Sequence, residues 1–298
     1  MPIYNNILTL SKVYQLSIEG SWYSAPTTPS SIEYLIVGGG GGAGAGSGTF
    51  YGGGGGGGAA ANTGTFSQAT LTTSVITISV GAGGAGGYTA NSAVATNGGN
   101  SSILFGATTV NTGIAGYSGG NAGGNGGTSG NGNGPGSSNN GNGRPSSGGG
   151  SGRAGYNWDD ATFPGQGGYG TQYSSYDMYG TDTSNSTAPS SGKGYFGAGG
   201  SQSGWYATNP GRPASYGGGG RGNTGSPGSP GLPSTGGGGG GGGADPGSNG
   251  GNGGSGLVVV RYPVQFADAT TTGSPNVTVS GGYKYYAFTS SGTMQFTS

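Results

Sequence analysis

Short apolar runs alternate with long glycine-rich stretches along the whole chain. The clearest runs are Ile32 to Val37, which is almost continuously apolar, and Leu257 to Tyr262, a run of the same kind near the other end. Runs of this length bounded by glycine are typical of buried β-strands. The pattern predicts further strands at residues 7–10, 13–18, 65–68, 71–80 and 103–105. The two clearest strands therefore bracket almost all the glycine.

The glycine-rich stretches show local triplets such as Gly81-Ala-Gly, which indicate a period of three without the strict repeat of collagen. An extended left-handed helix has three residues per turn, rises about 3.1 Å per residue and has no internal hydrogen bonds. Its buried amides must bond to neighbouring segments, and helices lie this close only where the inward-facing residue lacks a Cβ. The principal stretches are 38–48, 52–61, 81–87, 116–136, 148–152, 217–222 and 236–256.

These features predict a mostly irregular and β fold: a bundle of packed polyglycine II helices bracketed by short β-strands, with small β elements at both termini. The alternative is a flexible linker array with small β modules at its ends.

Composition helps to decide between an ordered bundle and a flexible linker array. Glycine accounts for 82 of 298 residues, which at first favours disorder, but only 5% of residues are charged, the net charge is zero and 10% are aromatic. Disordered chains usually show the reverse. An ordered bundle is therefore the preferred prediction.

Charge and residue types also exclude several functions. A neutral chain lacks the basic footprint that nucleic-acid binding needs. Cysteine and histidine are absent, which removes disulfides, Cys/His zinc sites, thiol chemistry and imidazole catalysis. We expect no enzyme activity, no cofactor and no metal. Residues 1–15 lack the long apolar region of a secretion signal or membrane span, so we also expect no signal peptide and no membrane insertion.

Three motifs carry a family resemblance: Ile32 to Gly42, Ile78 to Gly86 and Gly253 to Tyr262. Together they resemble the glycine-rich domain of phage tail fibres and related viral proteins, over about residues 32–262. The chain is also similar to the distal adhesins of some T-even-like phages, in which packed polyglycine helices present variable loops. The resemblance implies three regions: an N-terminal β attachment or pairing segment at 1–30, a glycine-rich domain at 31–262 and a C-terminal β-hairpin at 263–298.

The C-terminal segment from Val277 to Phe296 resembles the hairpin that often precedes the glycine domain in similar proteins, although here it follows. One hypothesis is that it pairs with the N-terminal strands of a neighbouring subunit through exposed edges. The alternative is a hairpin folded on its own subunit.

Two insertions, at residues 155–180 and 195–216, are dense in aromatic residues. Tyrosine and tryptophan supply rigid contact area with a polar group, which suits adhesive loops. The structural alternative is that these rings cap the glycine bundle and supply its missing core. The candidate receptor-binding residues are Tyr156, Trp158, Asp159, Asp160, Tyr169, Tyr173, Tyr176, Asp177, Tyr179, Trp205 and Tyr206.

Other candidate chemistry is weaker. A glycine motif after Tyr34 superficially matches a dinucleotide-binding loop, but no helix pattern follows it. The acidic residues Asp159, Asp160, Asp177 and Asp182 could form a carboxylate pair or a calcium site, yet nothing in the sequence positions them. Four arginines beside glycine runs could bind an anionic polysaccharide, or stack on tyrosines: Arg144, Arg153, Arg212 and Arg221.

We therefore expect a virion tail-fibre protein or adhesin that recognises a host cell-surface glycan or outer-membrane protein through its aromatic loops. Its other partners would be virion or fibre subunits, and we expect a homo-oligomer. The alternative is a purely structural subunit of a viral or extracellular filament, assembled through terminal β-strands.

Overall fold

The structure is a computed structural model that describes residues 28–48, 51–67, 75–89, 93–106, 108–121, 124–136, 144–157, 165–182, 193–204, 215–244 and 247–296. The described residues are nearly all strand or extended chain, with one short 3-10 helix at Ser174–Tyr176. The prediction of a mostly β chain is confirmed. None of the helical residues described forms a span long and apolar enough to cross a bilayer.

Within the described residues, twelve strands form three antiparallel sheets. The first sheet has the order β10-β11-β8-β1-β2, the second β5-β4-β3-β12-β9, and the third pairs β6 with β7. The strands are β1 (Ser31–Val37), β2 (Ala61–Ser67), β3 (Ile76–Ser79), β4 (Ser101–Phe105), β5 (Thr108–Gly113), β6 (Thr171–Gln172), β7 (Tyr195–Phe196), β8 (Leu257–Pro263), β9 (Thr270–Thr271), β10 (Asn276–Ser280), β11 (Tyr283–Phe288) and β12 (Gly292–Gln295).

The first two sheets pack face to face over one apolar core. Ile32, Tyr34 and Ile36 of β1 face this core, where they meet side chains of the second sheet such as Ile78 and Ile103. Side chains of a strand alternate between its faces, so Leu35 and Val37 point to the opposite face, and that face is covered as well. Burial on both faces explains why the β1 sequence is almost continuously apolar.

The two strands that bracket the glycine in sequence are neighbours in space. β1 and β8 pair antiparallel, with Val37 opposite Leu257 and Glu33 opposite Arg261. Within the predicted strand at 71–80, β3 covers Ile76–Ser79, and residues 71–74 lie outside the described residues. The strands predicted at 7–10 and 13–18 lie outside the described residues.

The C-terminal segment pairs within its own chain. β11 bonds to β8 on one side and to β10 on the other, and β12 lies between β3 and β9. Phe288, Met294 and Phe296 are fully buried in the main core. The hairpin is thus an integral part of both sheets.

The glycine-rich segments leave the sandwich at one end. Residues 38–46 continue from β1, 81–87 follow β3, and 114–120 follow β5, while 52–60, 93–100 and 248–256 lead into β2, β4 and β8. We call the hydrogen-bonded glycine-rich segments between residues 38 and 256 the glycine network. Its segments bond laterally to one another, since their backbone N–H groups donate to carbonyls of distant segments.

The lateral bonds follow a period of three. In the segment 38–46, Gly41 and Gly44 donate to the segment 54–57 at 2.9 Å, whereas Gly39 and Gly42 donate to 96–99. The carbonyls show the same period of three: those of Gly41 and Gly44 accept hydrogen bonds from residues 239–242. Six segments surround this one: 54–57, 84–87, 96–99, 116–119, 239–242 and 248–254.

Two further segments have the same environment. The segment 53–60 donates to residues 236–242, 114–120 and 146–149, and accepts from 38–44, 127–130 and 200–203. The segment 236–243 lies beside both and is likewise surrounded. These three segments contact one another and lie in the interior of the glycine network, where their amides bond to other chain segments.

Glycine is required in this interior because the backbones touch. A Cβ added at Gly41, Gly56 or Gly239 would lie closer than 3.0 Å to backbone atoms of a neighbouring segment. Alanine is accommodated at a few buried positions such as Ala43 and Ala59. The spacing of the segments is thus set by the absence of side chains.

Candidate functional site

The two aromatic insertions come together in the structure. Tyr169 of the first stacks on Tyr216 of the second, with ring centroids 4.7 Å apart and planes 18° apart. Tyr195 packs edge-on against Tyr216 at 5.0 Å. All three rings are half-buried, so each presents an edge or face to solvent.

Arg153 extends this cluster. Its guanidinium lies 4.0 Å from the ring centroid of Tyr156 and 5.8 Å from that of Tyr169, and it donates a 2.7 Å hydrogen bond to the Tyr156 hydroxyl. The expectation that an arginine stacks on tyrosine is met at this position. We call Arg153, Tyr156, Tyr169, Tyr195 and Tyr216 the tyrosine patch.

The glycine network holds the tyrosine patch in place. The N–H of Gly152 donates to the Tyr169 carbonyl at 3.1 Å, and that of Gly170 donates to the Tyr216 carbonyl at 2.9 Å. Close packing raises the pKa of Tyr216 to about 12, chiefly by desolvation and then by the neighbouring Tyr169, Tyr156 and Tyr195. Tyr216 is therefore neutral at physiological pH.

Three other candidate tyrosines pack against the first sheet. Tyr176 is buried at 3% exposure, and Tyr173 and Tyr179 are half-buried beside it, on the face that carries Leu35 and Val259. The Tyr173 hydroxyl donates to the Ala61 carbonyl. These side chains cover the outer face of the first sheet, a location that neither the receptor-binding hypothesis nor the capping of the glycine bundle had predicted.

Arg261 joins this aromatic segment to the sheet. Its Nε and Nη2 donate to Glu33 Oε2 at 3.0 and 2.5 Å, and its Nη1 donates to the Ser175 carbonyl at 2.8 Å and to the Tyr285 hydroxyl at 3.0 Å. The guanidinium also lies 5.0 Å from the ring centroid of Tyr176. One side chain thus links the 3-10 helix, β1 and β11.

A cavity of about 330 Å³ opens where this segment overhangs β1 and β2. Cross-strand pairing places Glu33 directly opposite Thr65, and the 3-10 helix forms the other wall. We call this cavity the Glu33 pocket; it is lined by Glu33, Thr63, Gly64, Thr65, Gln172, Tyr173, Ser174, Ser175 and Tyr176.

Sequence reasoning missed both charged residues of this site. Glu33 and Arg261 are the charged members of the two apolar strands that bracket the glycine. Opposite charges in two strands of one sheet are a signal for cross-strand pairing. That signal was available without the structure.

Six of the candidate receptor-binding residues named from the sequence remain. Trp158, Asp159, Asp160, Trp205 and Tyr206 lie outside the described residues. Asp177 is exposed, at the end of the 3-10 helix. Among the described parts of the chain, no three acidic, histidine or cysteine side chains are grouped so that they could hold a metal ion.

This architecture defines a class of protein: an antiparallel β sandwich whose strands continue into a network of glycine segments. The chain belongs to the glycine-rich domain family, whose model matches residues 17–263. No curated protein and no solved structure matches the chain.

Proposed function

We propose that the chain is a non-catalytic structural and receptor-binding protein of a phage tail fibre or a similar adhesin, located on the virion or on an extracellular filament. In this proposal the glycine network is a bundle of packed polyglycine II helices. The period of three in its lateral hydrogen bonds supports this, because that helix has three residues per turn. Six neighbours around each interior segment, in contact at backbone distance, support it further.

The tyrosine patch is the observation that carries the recognition role. It combines both aromatic insertions, and the half-buried rings of Tyr169, Tyr195 and Tyr216 are fixed by stacking and by the glycine segments beneath them. Rigid tyrosines lose little conformational entropy on binding and offer both apolar and hydrogen-bonding contacts. The proposed partner is a host cell-surface glycan or an outer-membrane protein, with further contacts to other fibre subunits.

The second candidate is a purely structural filament subunit that assembles as a homo-oligomer through β-strands. β10 favours it, because this strand lies at the edge of the first sheet and exposes 48% of Val277 and 60% of Val279. An exposed strand edge with apolar side chains is a template for pairing with another chain. Deleting residues 270–298 would not test this role, since four strands of the two sheets would be lost.

Adsorption of the purified chain to whole Gram-negative bacterial cells separates the two candidates. The adhesin proposal expects that Tyr169→Ala combined with Tyr216→Ala reduces adsorption at least tenfold, while Tyr88→Ala, which changes an exposed tyrosine outside the patch, leaves it unchanged. The filament proposal expects no dependence on the patch and a loss of oligomers, measured by light scattering, when Val277 and Val279 become Lys. Adsorption that is unchanged by the two tyrosine substitutions would overturn the adhesin proposal.

A further inference from the structure

We infer that the Glu33 pocket binds one neutral sugar unit of a surface glycan. The inference rests on the proposed recognition function for the class of its ligand, but it concerns residues outside the tyrosine patch. It commits to a carbohydrate where the proposed function leaves a glycan and a protein receptor open.

One oxygen of the Glu33 carboxylate is free to accept hydrogen bonds from a ligand. Both hydrogen bonds from Arg261 go to Oε2, and no described residue donates to Oε1. The Glu33 side chain is 35% exposed and lines the pocket. A carboxylate oxygen fixed in position accepts strong hydrogen bonds from hydroxyl groups, which sugars supply in adjacent pairs.

The charges beside the pocket nearly cancel. Arg261 lies against Glu33 and largely offsets its charge, so the pocket offers a strong acceptor without a strong net field. An anionic ligand would face the carboxylate, and a cationic ligand would face the nearby guanidinium. The arrangement therefore favours a ligand that is rich in hydroxyls and carries no net charge.

The rest of the lining consists of groups that both donate and accept hydrogen bonds. Thr63, Thr65 and Ser174 are exposed residues that line the pocket, and each carries a hydroxyl. Gln172 donates its Nε2 hydrogen to the Lys193 carbonyl at 3.0 Å, which leaves its Oε1 as an acceptor. The half-buried ring of Tyr173 adds an apolar surface that suits the C–H groups of a sugar ring.

The pocket is also held in shape before any ligand arrives. Two hydrogen bonds fix the wall that carries the 3-10 helix: Arg261 donates to the Ser175 carbonyl, and the Tyr173 hydroxyl donates to the Ala61 carbonyl beside β2. A preformed site costs less entropy on binding. Its volume of about 330 Å³ lies at the small end of ligand sites, which run from about 300 to 1,000 Å³, and so suits a single sugar unit.

The test is binding of the full chain to an immobilised panel of neutral, sialylated and amino monosaccharides and disaccharides. We expect binding to at least one neutral sugar and a loss of at least about tenfold in Glu33→Gln. Because Glu33→Gln also weakens the bond to Arg261, Ser174→Arg serves as a second variant: it fills the pocket from an exposed position and keeps both Glu33 and Arg261 in the sequence. Thr77→Arg, on an exposed position of β3, controls for the added charge and should bind as the wild type does.

Failure to bind any neutral sugar, preference for a charged one, or unchanged binding by both pocket variants would each overturn the inference. These outcomes are distinct from failure of the proposed function. If cells adsorb the chain through the tyrosine patch while no sugar binds, recognition stands and the pocket inference falls. If a neutral sugar binds in the pocket while cells do not adsorb the chain, the pocket inference stands and the proposed recognition of cells falls.

Discussion

Ser101 Oγ donates a 2.7 Å hydrogen bond to the carbonyl of Val37, 64 residues away in the chain. The same oxygen accepts a 2.9 Å bond from the N–H of Gly81. Val37 ends β1, Gly81 follows β3 and Ser101 begins β4, so one buried hydroxyl satisfies two backbone groups at the point where both sheets give way to the glycine network. The sandwich and the glycine network are therefore joined by specific polar contacts as well as by the chain itself.

We expect Ser101→Ala to lower the free energy of unfolding by about 1–3 kcal/mol, because it leaves the buried N–H of Gly81 without its hydroxyl acceptor and removes one hydrogen bond to the Val37 carbonyl. Urea denaturation measures the change. Ser102→Ala is the matched control: it lies next in the same strand, is only half-buried and should change stability by less than about 0.5 kcal/mol. Equal effects from the two substitutions would contradict this role for the Ser101 hydroxyl.

The bracketing strands could be predicted because their side chains identify them. β1 and β8 are apolar on both faces and buried on both faces, and such runs stand out against glycine. β5 could not be predicted in the same way: its sequence, Thr108–Gly113, is mostly polar because it lies at a sheet edge with little burial. Sequence pattern predicts strands in proportion to the apolar surface they bury.

Neighbours within the glycine network are beyond sequence reasoning for a physical reason. Gly41 bonds to Gly57 and Gly239, but nothing distinguishes these glycines from any other, since they have no side chain with which to select a partner. Partner choice must instead come from the strands at the segment ends and from the occasional Ala, Ser or Asn. The period of three can be predicted from local glycine triplets in the sequence, whereas the order in which the segments pack cannot.

Only part of the candidate site could be predicted, because the rest depends on contacts between residues that are far apart in the sequence. Tyrosine-rich loops are conspicuous in the sequence, and Tyr169 and Tyr216 are stacked in the structure. The Glu33 pocket depends on cross-strand register and on where a distant 3-10 helix lies, neither of which leaves a local pattern. Non-local geometry, and not residue chemistry, was the missing information.

The interior of the glycine network should not tolerate a methyl group. We expect Gly56→Ala to lower the free energy of unfolding by about 3 kcal/mol, since its Cβ would overlap the backbone of Gly41 and force two segments apart. Gly134→Ala is the matched control, because open space surrounds its Cβ position and its backbone is not in the left-handed region. Urea denaturation should show the control to be neutral or slightly stabilised, by up to about 1 kcal/mol. Similar losses in both variants would contradict close backbone packing as the cause.

Alkaline pH should weaken the fold through the tyrosines that are packed against the first sheet. Burial raises the pKa of Tyr179 from 10.0 to about 12, with a smaller contribution from Tyr285. Between pH 10 and about 12 the folded chain keeps the hydroxyl proton that the unfolded chain loses, so the unfolded state binds fewer protons. Stability from this residue is therefore complete below pH 10 and falls as pH rises through about 12.

Urea denaturation from neutral pH to pH 12 measures this dependence. We expect the free energy of unfolding to be insensitive to tyrosine ionisation below pH 10 and to decline above it, with Tyr179 contributing at most about 1.4 kcal/mol per pH unit. Tyr179→Phe should make the decline shallower, because phenylalanine has no proton to lose, whereas Tyr88→Phe, at a 46% exposed position, should leave the slope unchanged. A slope that is the same in the wild type and in Tyr179→Phe would show that Tyr179 ionises alike in the folded and unfolded chains, against the burial described above.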